Sequence, residues 1–172
     1  MQLIFHKLPV VTGNLVIRHL DAKDLEPFLE FMLDPQSTQY LAFTDEQKTE
    51  KGAKELFDMV LQSYDSENPI ESYAVSLKET GEYIGSIGLS PYDEGVYECY
   101  YCINSGHRNR GYAVEAMKQI FSLIDPHIAI RAHCSPENQA SIRVAEKLGM
   151  THLGEVEHIH SKLKGPAFQL QR

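Results

Sequence analysis

Apolar positions along the 172-residue chain fall into two periods, one near 3.6 and one of 2, and the switch between them divides it into elements. Leu25, Phe28, Leu29 and Met32 lie on one helical face, behind Asp21 as an N-cap and ahead of Asp34-Pro35 as a stop. Between Gln47 and Tyr64, the positions Ala53, Leu56, Phe57, Val60, Leu61 and Tyr64 follow i, i+3, i+4, i+7, i+8 and i+11, which predicts a second one-sided helix closed by Asn68-Pro69. The period then shortens. Residues 72–77, 83–90 and 96–103 read as strands separated by Glu79-Thr80-Gly81 and by residues 91–95, the pattern of an antiparallel meander. An earlier strand is expected over 15–18, after the turn signal Thr12-Gly13-Asn14.

The second half alternates strand and helix. Ala113, Val114, Met117, Ile120, Phe121 and Ile124 predict a helix that stops before Pro126. A strand over 128–134 follows, then a helix over 141–148 closed by Gly149, and strands over 151–158 and 167–171. The order β-α-α-β-β-β-α-β-α-β-β predicts an α/β (α+β) fold with a mixed, mostly antiparallel central sheet and helices on both faces. With no break in composition, residues 1–172 are expected to form a single domain.

Composition narrows the partners. The formal net charge is -8, and no stretch gathers lysine and arginine as a nucleic-acid arm or membrane-surface helix would. An acidic surface either draws a cationic substrate such as an amine or serves solubility alone. The three cysteines, Cys99, Cys102 and Cys134, sit in apolar stretches without a signal-like leader, so reduced thiols in the cytoplasm are expected. Cys99 and Cys102 form a C-x-x-C on a predicted strand, where positions i and i+3 face opposite sides, and this argues against a zinc or redox pair. No apolar run is long enough to span a bilayer.

Candidate chemistry concentrates in two strand-to-helix junctions. Along residues 96–103, alternation puts Glu98, Tyr100 and Cys102 on one face and Tyr97, Cys99, Tyr101 and Ile103 on the other. Glu98 is either a rim carboxylate on a solvated face or, if partly buried, a carboxyl pushed up toward the range of a general base. That strand feeds "HRNRGYAVEAM", in which Gly111 and Ala113 let a helix N-terminus approach an anion closely. Three spaced glycines and a Gly-Lys-Ser/Thr are both missing, so this is neither a dinucleotide fingerprint nor a P-loop. The next strand feeds "PENQASIRVAEKLGM", with Asn138 at the helix start as an N-cap or a ligand-holding group and Ser141 in the first turn. Both junctions are expected at the same edge of the sheet.

These stretches, with "GNLVIRHLDAKDLEPF", "YECYYCI" and "HLGEV", resemble the GNAT-type N-acetyltransferases, and within them the RimJ/RimL-like branch of ribosomal-protein N-terminal acetyltransferases. The resemblance implies a sheet whose fourth and fifth strands splay apart to admit the pantetheine arm of acetyl-CoA. It implies a pyrophosphate on the backbone N–H groups of Arg108, Asn109, Arg110, Gly111, Tyr112 and Ala113, with both arginines available to add charge. An amine acceptor would be deprotonated through water by Glu98 and attack the thioester directly, and a backbone N–H near Tyr101, Cys102 and Ile103 would stabilise the oxyanion. Asn138 would hold the pantetheine or order its helix, and Ser141 would protonate the leaving thiolate. No metal is implied.

One departure affects the acid. Many members carry a tyrosine four residues after the serine, and this chain has Ala145 there. Either Ser141 or solvent is then the acid, since a thiolate of pKa about 8.5 needs little help. An acetyl-cysteine on Cys102 is not implied. His158 and His160, two histidines without a third ligand, read as surface residues. Tyr100 and residues 40–43 are either acceptor-pocket or core residues. The acceptor implied first is a protein or peptide α-amine; a small amine, or a binding module without turnover, are the other readings. The oligomeric state, monomer or dimer, stays open.

Overall fold

The computed structural model describes residues 3–170, so the expected strand residue Gln171 lies outside the described residues. The chain runs through strands β1 (Val10–Val11) and β2 (Leu15–His19), then helices α1 (Leu25–Leu33), α2 (Pro35–Thr38) and α3 (Glu50–Ser63). Strands β3 (Ser72–Leu77), β4 (Tyr83–Asp93) and β5 (Val96–Ile103) lead to helix α4 (Tyr112–Leu123). Strand β6 (Ala129–His133), helix α5 (Gln139–Lys147) and strands β7 (Thr151–Glu157) and β8 (Lys164–Leu170) complete it.

The structure departs from the periodicity in several places: β4 runs on to Asp93 through the expected separator, and Asp21 caps a short 3-10 turn ahead of α1 while Asp24 takes the α1 cap position. β1 is two residues long, too short to leave a pattern, and adds an edge to β2. Asp34-Pro35 ends α1 but also starts α2, because Pro35 occupies the first helical position and the Asp34 side chain accepts from the Gln36 N–H. β8 begins at Lys164, ahead of the expected 167, since it is paired on both sides: Ala167 faces His133 of β6, while Lys164, Gly165 and Pro166 face Glu157, Val156 and Glu155 of β7.

Alternation sorts the core into two layers. Tyr73, Val75, Cys99 and Ile103 point to the side where Met117 and Ile120 of α4 and Ala145 of α5 pack. Ala74, Tyr83 and Cys102 point to the other, against Phe28 and Met32 of α1 and Phe57 and Val60 of α3. Each helix therefore buries its apolar stripe on one side of a shared sheet, and the helices lie on both faces as the element order predicts.

The eight strands are ordered β1-β2-β3-β4-β5-β6-β8-β7, antiparallel everywhere except between β5 and β6. That parallel pair holds only three register positions, Val96↔Ala129, Tyr97↔Ile130 and Glu98↔Arg131. Beyond Glu98, β5 stays paired with β4 up to Gly85↔Ile103, while β6 stays paired with β8 up to His133↔Ala167. The two strands thus separate toward their C-terminal ends, and a wedge opens in the middle of the sheet.

Candidate active site

Because the wedge passes through the sheet, neighbours that point to opposite faces line one opening. Glu98, Cys99, Tyr100 and Tyr101 of β5 border a cavity of about 590 Å³ together with Ala132, His133 and Cys134. Asn138 and Ser141 at the start of α5 and Tyr40, Leu41 and Ala42 also line it. A separate cleft of about 610 Å³ lies between α1 and the loop after β5, lined by Asp24, Phe31, Glu82 and His107 among others, and borders none of the residues expected to act.

At the strand-to-helix junction after β5, Asn109 has φ 61° and Gly111 has φ 79°. A left-handed Gly111 turns the chain abruptly into α4, a conformation that costs a side-chain-bearing residue roughly 1–2 kcal/mol. No side chain caps the first turn of α4, so its backbone N–H groups stay open to an anion. Arg110 is exposed beside them. Arg108 is placed differently from expectation: its guanidinium donates to the carbonyl oxygens of Ile103 (3.1 Å) and Gln36 (3.4 Å), tying the loop to the end of β5 and to α2.

At the second junction, the Asn138 side chain accepts from the Ser141 N–H (3.1 Å), the geometry of an N-cap on α5. Ser141 Oγ donates to the Tyr101 hydroxyl (3.2 Å) and lies 3.2 Å from Cys134 Sγ, while the Tyr101 O–H donates to the Ser141 carbonyl (2.9 Å). Ala145 is fully buried against the sheet. The phenol beside Ser141 therefore comes from β5, where no motif on α5 could announce it. Burial pushes the Tyr101 hydroxyl well above its usual range, so it stays protonated.

Cys102 and Ile103 contribute backbone at the end of β5, where β6 offers no partner. The Cys102 side chain packs in the α1/α3 layer, away from the cavity, with its thiol pushed up by burial to about 12. Tyr112 and Ala113, the first residues of α4, are half-buried against the core. Tyr100 lies across Gly88, where an added Cβ would come within 2.2 Å of the ring, and its hydroxyl is 2.5 Å from Ser72 Oγ.

Glu98 is not alone. Its Oε1 lies 2.7 Å from His133 Nδ1 and its Oε2 lies 3.0 Å from His158 Nε2. Burial pushes its carboxyl up, but the hydrogen bonds from the two imidazoles outweigh burial and hold it below the usual carboxylate range. This is the opposite of the upward shift that burial alone would give. His158, read from the sequence as a surface residue, is largely buried at 15% side-chain exposure, and His133 at 12%. His160 Nε2 reaches the Tyr92 carbonyl (3.2 Å), and the Tyr92 ring packs 4.6 Å from that of His133. The missed signal was alternation along residues 128–134, which puts Arg131 and His133 on one face; only the parallel register brings that face to Glu98.

Glu98, His133 and His158 each offer a donor atom within 4.8 Å of the others, the spacing of a cation site. The hydrogen bonds argue otherwise. His158 Nδ1 accepts from the N–H groups of His160 (3.3 Å) and Ser161 (3.1 Å), so its proton sits on Nε2 and no lone pair remains there for a metal.

Comparison with known proteins agrees with the wedge and its two junctions. The sequence profile described as Acetyltransferase (GNAT) domain matches residues 14–151. The uncharacterised N-acetyltransferase YnaD of Bacillus subtilis is 31% identical over 150 residues, covering 84% of each chain. A GNAT-family acetyltransferase from Bacillus anthracis superposes with a TM-score of 0.75 at 24% identity, covering 95% of this chain and 98% of its own. The fold is shared by RimL, described as a ribosomal L7/L12 alpha-N-protein acetyltransferase in complex with coenzyme A, at a TM-score of 0.73 and 14% identity over 94% of this chain and 96% of that one. The splayed strands, the uncapped helix after Gly111 and a profile match across most of the sequence converge: this chain belongs to the GNAT acetyltransferase family, an N-acetyltransferase whose acetyl donor is acetyl-CoA.

Proposed function

We propose that the protein acetylates the α-amino group at the N-terminus of a protein or peptide, and that residues 1–172 work as a single acetyltransferase domain. One observation carries the acceptor class: the cavity opens toward the β7–β8 connection, where Leu163 at its edge is 65% exposed, and Tyr40, which also lines it, is 40% exposed. A small amine would leave that apolar rim idle, whereas residues following an N-terminal amine would cover it. RimL and the RimJ of Mycobacterium smegmatis, which share the fold, are consistent with this choice.

The pyrophosphate rests on the open N–H groups from Arg108 to Ala113, with Arg110 supplying charge; Arg108 braces the loop. The thioester lies in the wedge beside the Tyr101–Ser141 pair. The Glu98 side of the cavity removes a proton from the acceptor ammonium, and the free amine attacks the thioester carbonyl. An unpaired N–H at the end of β5, near Tyr101, Cys102 and Ile103, receives the oxyanion. As the C–S bond breaks, Ser141 Oγ, held by the Tyr101 hydroxyl, gives its proton to the thiolate and recovers one from water.

A net charge of -8 favours the second reading, a small cationic amine. Thiol release from acetyl-CoA, measured over peptides with different N-terminal residues, polyamines, amino acids and aminoglycosides with product mass as confirmation, separates the two. Turnover restricted to peptides supports the proposal; turnover restricted to small amines overturns it.

A further inference from the structure

The acceptor side of the cavity holds four places where an incoming proton could rest, and three are already engaged. Glu98 Oε1 and Oε2 each face an imidazole nitrogen, His133 Nδ1 at 2.7 Å and His158 Nε2 at 3.0 Å. Nδ1 of His158 accepts two backbone N–H groups. The fourth is His133 Nε2, which is buried and has no hydrogen-bond partner among the described residues. A neutral imidazole carries one proton, and the short contact of Nδ1 with a carboxylate fixes it on Nδ1. Nε2 is therefore a bare lone pair, on a residue that lines the cavity. A buried acceptor left unpaired is unfavourable, and a substrate N–H would satisfy it.

We propose that His133 Nε2, and not the Glu98 carboxylate, takes the proton from the acceptor ammonium, with Glu98 and His158 as positioning residues. The inference rests on the acetyl-transfer reading above. An R–NH3+ group gives its proton to Nε2, yielding a free amine and an imidazolium paired with ionised Glu98. The amine nitrogen then bonds to the thioester carbon, the C–S bond breaks, and the second amine proton goes to the leaving sulfur by way of Ser141 or water. After product leaves, His133 returns its proton to solvent. The sum is one amide, one thiol and one released proton.

The surroundings support a cation on His133 only at that point in the cycle. Facing it are Glu98 from β5, His158 after β7 and Tyr92 from β4, with His160 packed behind them against Tyr92 and His158. Arg131 on its own strand is turned over the Tyr92 ring at 5.6 Å from the centroid. Glu137 and Lys164 border the same cavity. One ionised carboxylate in direct contact is matched by one imidazolium, while His158 Nδ1 is already taken up by two backbone N–H groups.

The test begins on the full chain with 15N-labelled histidine, with resonances assigned through His133→Gln and His158→Gln. Above neutral pH the expected state is Nδ1–H with a bare Nε2 for His133, and Nε2–H with a bare Nδ1 for His158. The opposite tautomer at His133, or equimolar Zn2+ shifting both rings together, overturns the proposal. This holds whether or not any acceptor is found, so failure of the acetyl-transfer reading, seen as absence of acetyl-CoA binding, is separately visible. On an acceptor drawn from the panel, His133→Gln is expected to lower kcat/KM by about 10²–10⁴-fold with acetyl-CoA affinity kept. Glu98→Gln is expected to move the acid limb of kcat/KM to lower pH, because the imidazolium loses its counter-charge. An acid limb unmoved in Glu98→Gln, with both variants folded by thermal melting, overturns the assignment.

Discussion

The two ends of the cavity are built by different means. At the end proposed for the cofactor the chain uses backbone: a left-handed Gly111, an uncapped first turn of α4, and an α5 start held by Asn138. At the end proposed for the acceptor it uses side chains from three distant segments, with Glu98, His133 and His158 meeting through hydrogen bonds across 35 and 60 residues of sequence. A backbone site reads any donor carrying the same pyrophosphate, whereas a side-chain site can be retuned residue by residue. Acceptor choice can therefore change while the donor stays fixed.

If this division holds, substitutions at the two ends should separate binding from turnover. After His133→Gln, the largest effect is expected from Glu98→Gln: kcat/KM falls about 100-fold, while acetyl-CoA affinity by calorimetry changes less than about twofold. Gly111→Val should do the reverse, weakening acetyl-CoA by about tenfold or more through a forced change of φ, with little loss of kcat at saturation. Asn138→Ala removes the cap from Ser141 N–H and should cost about 1 kcal/mol, a fall in Tm of roughly 2–4 °C in thermal denaturation. Arg110→Ala should give the smallest change, a few-fold weaker affinity that vanishes at high salt.

Acid sharpens the contrast from the side of stability. The folded state holds the Glu98 carboxyl below its ordinary value of about 4.3, so the unfolded chain binds that proton first as pH falls. The stabilisation is complete above that ordinary value and is lost as pH drops through the lower folded one. The difference in Tm between the natural protein and Glu98→Gln should accordingly shrink as pH falls below about 4.

The same contrast explains what the sequence disclosed. The loop from Arg108 to Ala113 and the start of α5 are local devices, written in consecutive residues by turn and cap chemistry, and they were readable in place. So were the long helices, whose apolar stripes repeat, and the strands from Ser72 to Ile103. The histidines were not. Whether His133 meets Glu98 depends on the register of β5 against β6, and whether His158 reaches it depends on the turn after β7; neither is a property of any one segment. Tyr101 beside Ser141 was hidden for the same reason. For Glu98, burial and its upward push were foreseeable, and the two partners that outweigh it were not.

The seam between β5 and β6 has a further consequence. Three register pairs join a five-stranded block, β1 to β5, to a three-stranded one, β6, β8 and β7. A cofactor lying in the wedge would stand where ladder bonds are missing and would act as a ninth strand. Its occupancy would then govern how often the two blocks part: at a hundred times its dissociation constant, acetyl-CoA would add about 2.7 kcal/mol against unfolding. In a starved cell, where acetyl-CoA runs low, the enzyme would become easier prey for proteases, so that its abundance, as well as its rate, would follow the carbon supply.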